Sequence, residues 1–126
     1  GTMSLWDDLR TWNPFGSVPE IAPRDLLEAL RADSPPVLLD VRTGIEWEKS
    51  RIAGALNVPI LSLGDRLATL ALDPARPVVA ICLSAHRSVP AVRLLRERGH
   101  VAAQLAGGML AWWAAKLPVV KGAAEP

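Results

Sequence analysis

Cysteine occurs once in the 126 residues, at position 82. A single cysteine excludes an intramolecular disulfide framework and leaves no internal thiol to resolve an oxidised one. It fits a reducing compartment, and a cytoplasmic location is the expectation. Charge of one sign is not in excess: 14 Lys and Arg against 13 Asp and Glu give a net charge of +1. With no long basic run, nucleic acid is not an expected partner. No apolar stretch approaches the roughly 20 residues that span a bilayer, so no membrane span is expected. Residues 1–15 also lack the apolar core of a signal peptide.

Half of the chain is hydrophobic and 21% is charged, enough for one domain with a core of its own. Gly1-Thr2 ahead of Met3 reads as the remnant of a tag. Residues 1–17 form an N-terminal extension in which Trp6, Leu9, Trp12 and Phe15 make a short amphipathic stretch, with a helix as one form of it, broken by Asn13-Pro14 and Gly16. These aromatics are expected to pack on the body, with a partner's surface as the alternative. The domain proper is expected over 18–119, followed by a flexible tail over 120–126.

Apolar runs and helical spacings alternate along 18–119. Pro23 opens a helix with Leu26, Leu27 and Leu30 on one face, closed by Ser34-Pro35-Pro36. Val37–Val41 reads as a buried strand, Ile45–Ser50 as a short helix, Gly54–Pro59 as an extended link, and Leu61–Leu72 as a helix. Val78–Ile81 is a second buried strand, and Val89, Val92, Leu94 and Leu95 mark a helix that ends at Gly99. Val101–Leu105 is a further strand, and Met109–Lys116 a last helix stopped by Pro118. This alternation argues for an α/β fold with a mostly parallel sheet covered on both faces. Sites in such folds lie beyond the carboxyl ends of the strands, where both Cys82 and Asp40-Val41-Arg42 fall.

A lone cysteine in a small domain is most often an inert core filler. Here, though, the thiol sits between a strand and a helix, in the loop Cys82-Leu83-Ser84-Ala85-His86-Arg87-Ser88. Backbone N–H groups before a helix stabilise a thiolate or a bound anion, so Cys82 is expected to ionise readily and act as a nucleophile. His86 and Arg87 add positive charge and Ser84 and Ser88 add hydroxyls, for which a core filler has no use.

The chain resembles the rhodanese-like sulfurtransferases from about Val18 to Val119. The residues that carry the resemblance are Leu38–Arg42 followed by Glu46 and Trp47, Ile52–Pro59, Val79–Cys82 with its loop, Gly99-His100, and Gly107–Trp112. The resemblance implies a small domain with a central, mostly parallel five-stranded sheet flanked by helices on both faces, with Cys82 as the catalytic residue. It also implies a cradle for the substrate sulfur built from Leu83, Ser84, Ala85, His86 and Arg87. The related dual-specificity phosphatases use a loop one residue longer, which suits phosphate; the shorter loop here favours sulfur transfer.

The implied reaction moves a sulfane sulfur from thiosulfate or a low-molecular-weight persulfide to a thiol or protein acceptor through a Cys82 persulfide. No metal and no organic cofactor is expected, because cysteine supplies the chemistry. Arg87 either holds an anionic donor or braces the loop. Asp40, Arg42 and Ser88 are expected to support the loop, and Glu46 to pair with Arg42 or Arg51. Arg51 stands where many members have a histidine and is read as surface charge. Leu83 stands where many active members carry a polar or basic residue, which turns the expectation toward a protein or apolar persulfide donor. Two other readings remain: a rhodanese-fold module that recruits a partner, and an arsenate reductase or phosphatase.

Overall fold

The computed structural model describes Trp6 and residues 17–123. The elements in chain order are β1 (Glu20–Ile21), α1 (Pro23–Leu30), β2 (Val37–Asp40), α2 (Gly44–Lys49), β3 (Leu56–Asn57), α3 (Ile60–Leu70), β4 (Val78–Ile81), α4 (Ser88–Glu97), β5 (Ala102–Leu105) and α5 (Gly108–Ala114). The five strands form one sheet in the order β1-β5-β4-β2-β3, and every pairing is parallel. The fold is the α/β arrangement that the sequence implies. The Gly54–Pro59 link contains β3, and the segment before Pro23 contains β1. Both strands are two residues long, too short to show alternation.

Alternating side chains along the strands divide the core into two layers. Leu39, Val41, Val78, Ala80, Cys82 and Ala102 face one way and pack with Leu63 and Leu67 of α3 and Ala91, Val92 and Leu95 of α4. Leu38, Val79, Ile81 and Leu105 face the other way and pack with Leu26 of α1 and Met109 and Trp112 of α5. The central strand β4 is buried along its whole length, which explains its unbroken apolar run. Trp112 is fully buried, whereas Trp113 lies at the edge and donates from Nε1 to Ser50 Oγ. Trp6 packs against the α1 and α5 layer; Trp12 and Phe15 lie outside the described residues.

Arg51 departs from its expected role as surface charge. It is buried, its guanidinium lies 3.8 Å over the Trp47 ring, and Nη1 donates to the carbonyls of Trp47 and Gly122. The stack and the two carbonyls give the planar cation a desolvated place that a surface reading does not anticipate. Its backbone forms an antiparallel bridge with Val120, and Gly122 N donates to Glu48 O. Contacts with the body therefore continue past Val119.

Candidate functional site

The register of β2 on β4 sets Asp40 beside Ile81, so the two strands end together and Cys82 emerges next to Val41 and Arg42. Cys82 itself is buried. Its loop runs through half-buried Leu83, Ser84 and Ala85 and exposed His86 to half-buried Arg87, and reaches α4 at buried Ser88. Ala85 takes a left-handed backbone conformation, φ 69°, which turns the chain over between strand and helix. The Ser84 hydroxyl and His86 Nδ1 share a hydrogen bond of 2.9 Å at the loop tip.

The first turn of α5 fixes the start of the loop. Met109 N donates to Cys82 O at 2.8 Å and Leu110 N to Leu83 O at 3.0 Å. A trans peptide points its N–H opposite to its C=O, so these bonds turn the N–H groups of Leu83 and Ser84 away from α5. Among the described residues, none of the N–H groups of Leu83 through Arg87 has a carbonyl or side-chain partner. Successive free N–H groups in such a turn form a concavity suited to an anion. Gly108 makes the approach possible: at φ +61°, a Cβ on it would stand 2.4 Å from Leu83 O and 2.5 Å from Cys82 O.

Arg87 fixes the far end. Its two terminal nitrogens donate to the two carboxylate oxygens of Glu46 at 2.7 and 2.8 Å. The Arg87 hydrogen bonds, with those from Thr43, hold the Glu46 carboxyl down at about 2, while the Arg87 guanidinium is pushed up by Glu46. Arg87 therefore braces the loop. Glu46 was expected to pair with Arg42 or Arg51; its place at the third position of α2, in a capping box with Thr43, aims it across the site instead. The Thr43-x-x-Glu46 spacing was the signal available in the sequence.

Asp40 and Arg42 do support the strand end, but not by bonding the loop as expected. Both are buried and paired, with Arg42 Nε and Nη2 donating to the Asp40 carboxylate. Arg42 Nη2 also donates to Ser50 O, and Asn57 Nδ2 donates to the carbonyls of Asp40 and Arg42. Their hydrogen bonds thus tie β2 to the α2–β3 connection. Ser88 does reach the thiol: its Oγ lies 3.3 Å from Cys82 Sγ. Ser88 Oγ in turn donates to Gln104 Oε1 at 2.6 Å, and Gln104 Nε2 donates to Glu20 Oε2 at 2.9 Å. Gln104 and Glu20 were missed; a glutamine inside an otherwise apolar strand was the only hint.

A cavity of about 600 Å³ lies at the other end of the strands, by the amino-terminal ends of β2 and β3, lined by Leu30, Pro35, Val37, Leu72 and Arg76 among others. It contains no nucleophile, and Arg76 is already bonded to Pro35 O. Cys82 and its loop, not this cavity, bring together a thiol, free backbone N–H groups and a guanidinium.

The model of the Rhodanese-like domain family matches residues 23–115. The chain belongs to that family. It is 40% identical over 111 residues to an HTH-type transcriptional regulator of Mycobacterium tuberculosis, covering 86% of this chain and 48% of the regulator. It is 32% identical over 95 residues to a Bacillus subtilis protein carrying the sulfurtransferase name, covering 75% of this chain and 90% of that protein. Among solved structures, a rhodanese-related protein from Thermoplasma volcanium superposes with a TM-score of 0.73 at 30% identity, over 81% of this chain and 97% of that one. The rhodanese-like domain and the relatives named as sulfurtransferases place the chain in a sulfurtransferase family. It spans about half the length of the mycobacterial regulator. No helix among the described residues is long and apolar enough to cross a membrane.

Proposed function

We propose that this rhodanese-like domain transfers sulfane sulfur through a persulfide on Cys82. The observation that carries the reading is the placement of the thiol at the mouth of a loop whose N–H groups, from Leu83 to Arg87, lack internal partners. The Cys82 thiolate attacks the outer sulfur of thiosulfate or of a low-molecular-weight persulfide. The donor's sulfur–sulfur bond breaks, and sulfite or a thiolate leaves with the electron pair. The loop N–H groups stabilise the negative outer sulfur. An acceptor nucleophile, a thiol or a protein, then takes that sulfur and releases the Cys82 thiolate. Arg87 acts by holding the loop through Glu46, and half-buried Leu83 favours an apolar or protein donor over thiosulfate. The unpaired cysteine of the chain fits work in a reducing compartment such as the cytoplasm.

The test is intact-mass spectrometry of the reduced protein after brief exposure to thiosulfate or glutathione persulfide, beside Cys82→Ser. The expected result is a gain of one sulfur atom that depends on Cys82 and disappears when cyanide is added. Failure to load from either donor, with the thiol still open to alkylation, refutes the reading and leaves the partner-recruiting module in its place.

A further inference from the structure

The hydrogen bonds that link Cys82 to Glu20 have only one consistent direction. A carboxylate only accepts, so the Gln104 atom facing Glu20 Oε2 is Nε2, and Oε1 faces Ser88. An amide oxygen also only accepts, so the single hydroxyl proton of Ser88 points at Gln104. Toward Cys82 Sγ, Ser88 Oγ is left with lone pairs alone. That contact is satisfied when Cys82 is a thiol donating its S–H, and unfavourable when the sulfur is negative.

We propose that Gln104, held in one orientation by Glu20, is a positioning residue that keeps the Ser88 hydroxyl turned away from Cys82 and so favours the resting thiol. The proposal rests on the reading of Cys82 as the sulfur carrier. When the sulfur becomes charged, its proton leaves to a base in solvent and the Ser88 hydroxyl must rotate toward it. Gln104, which is buried, then loses its donor at Oε1. The amide cannot simply turn over to recover one, because that would aim Oε1 at the Glu20 carboxylate. Glu20 is exposed and lies 84 residues before Gln104 in the chain, so a surface side chain sets the state of a buried thiol. The other charged or titratable groups at this end of the sheet are Arg87 paired with Glu46, Asp40 paired with Arg42, and the exposed His86 of the loop.

The test measures the thiolate population of reduced protein from its ultraviolet absorbance and from its iodoacetamide alkylation rate, at one fixed pH at which thiolate is the minor form in wild type. No sulfur donor is used. Glu20→Ala at the surface and Gln104→Leu in the strand each release the Ser88 hydroxyl. The thiolate population is expected to rise roughly three- to tenfold, the scale of one hydrogen bond gained by the charged form. The same substitutions in a Ser88→Ala background are expected to give little or no rise, which separates the hydroxyl from the simple loss of the Glu20 charge. An unchanged or smaller thiolate population in Glu20→Ala, or an equal rise without Ser88, overturns the proposal. Sulfur loading is scored separately: protein that loads sulfur but shows no Ser88-dependent rise refutes only the positioning role. Protein that shows the rise but loads no sulfur refutes only the transferase reading.

Discussion

Replacing Gly108 by alanine tests how the loop is held. The new Cβ would stand 2.4 Å from Leu83 O and 2.5 Å from both Cys82 O and Leu83 C. These are backbone atoms, and they are fixed by the Met109 N–Cys82 O and Leu110 N–Leu83 O bonds. Relief requires α5 and the loop to separate by about 1 Å to reach normal contact. That loses both hydrogen bonds, about 1 kcal/mol each, and the left-handed backbone adds about 1 kcal/mol for any residue with a Cβ. The sum is roughly 3 kcal/mol, a fall in Tm of roughly 12 °C for a domain of this size. Gly99→Ala is the control: its φ is +91°, but nothing lies within 4 Å of its Cβ position. It carries only the backbone term, so its Tm should fall by about 4 °C. Sulfur loading should drop roughly tenfold or more in Gly108→Ala, through misplacement of the loop N–H groups, and stay near wild type in Gly99→Ala. Thermal unfolding followed by circular dichroism, with mass-spectrometric loading on the same samples, provides both numbers. Equal losses of stability in the two variants would refute the claim that close backbone approach, rather than backbone conformation alone, is what Gly108 permits.

The Glu46 brace predicts a pH dependence. The Glu46 carboxyl is held at about 2, below its ordinary 4.5, so its contribution is complete above 4.5 and is lost as pH falls toward 2. Wild type should exceed Glu46→Gln by about 1 kcal/mol near neutral pH, a figure reduced for partial exposure. The gap should close on acidification, and urea unfolding across a pH series that finds a constant gap would count against the brace. Asp40→Ala leaves the Arg42 guanidinium buried without its carboxylate and should cost roughly 3–5 kcal/mol. Asp40→Ala with Arg42→Met should recover part of that loss in the same unfolding assay.

Much of the fold was legible because the signals were local. The apolar run Val78–Ile81, the helical spacing after Ser88 and the end at Gly99 each lie within one window of sequence. The two-residue strands β1 and β3 carry no periodicity, and only their hydrogen bonds to β5 and β2 define them. The nucleophile candidate and its loop were legible for the same local reason. Ser88 was legible beside them, but the distant partners of the loop were not: Glu46 reaches Arg87 across 41 residues, and Gln104 reaches Ser88 across 16. Arg51 shows the same limit, since an arginine reads as surface until the Trp47 ring and the Gly122 carbonyl are placed around it.

The loop is fastened by its backbone at one end and by Arg87 and Ser88 at the other. The side chains of Leu83, Ser84, Ala85 and His86 take no part in that fastening, apart from the mutual bond of Ser84 and His86. Frame and contact face are therefore separable. Leu83, Ser84 and His86 can be exchanged without rebuilding the scaffold, whereas Ala85, at φ 69°, accepts only residues that tolerate a left-handed backbone. The contact face can therefore change by a few substitutions at little risk to stability.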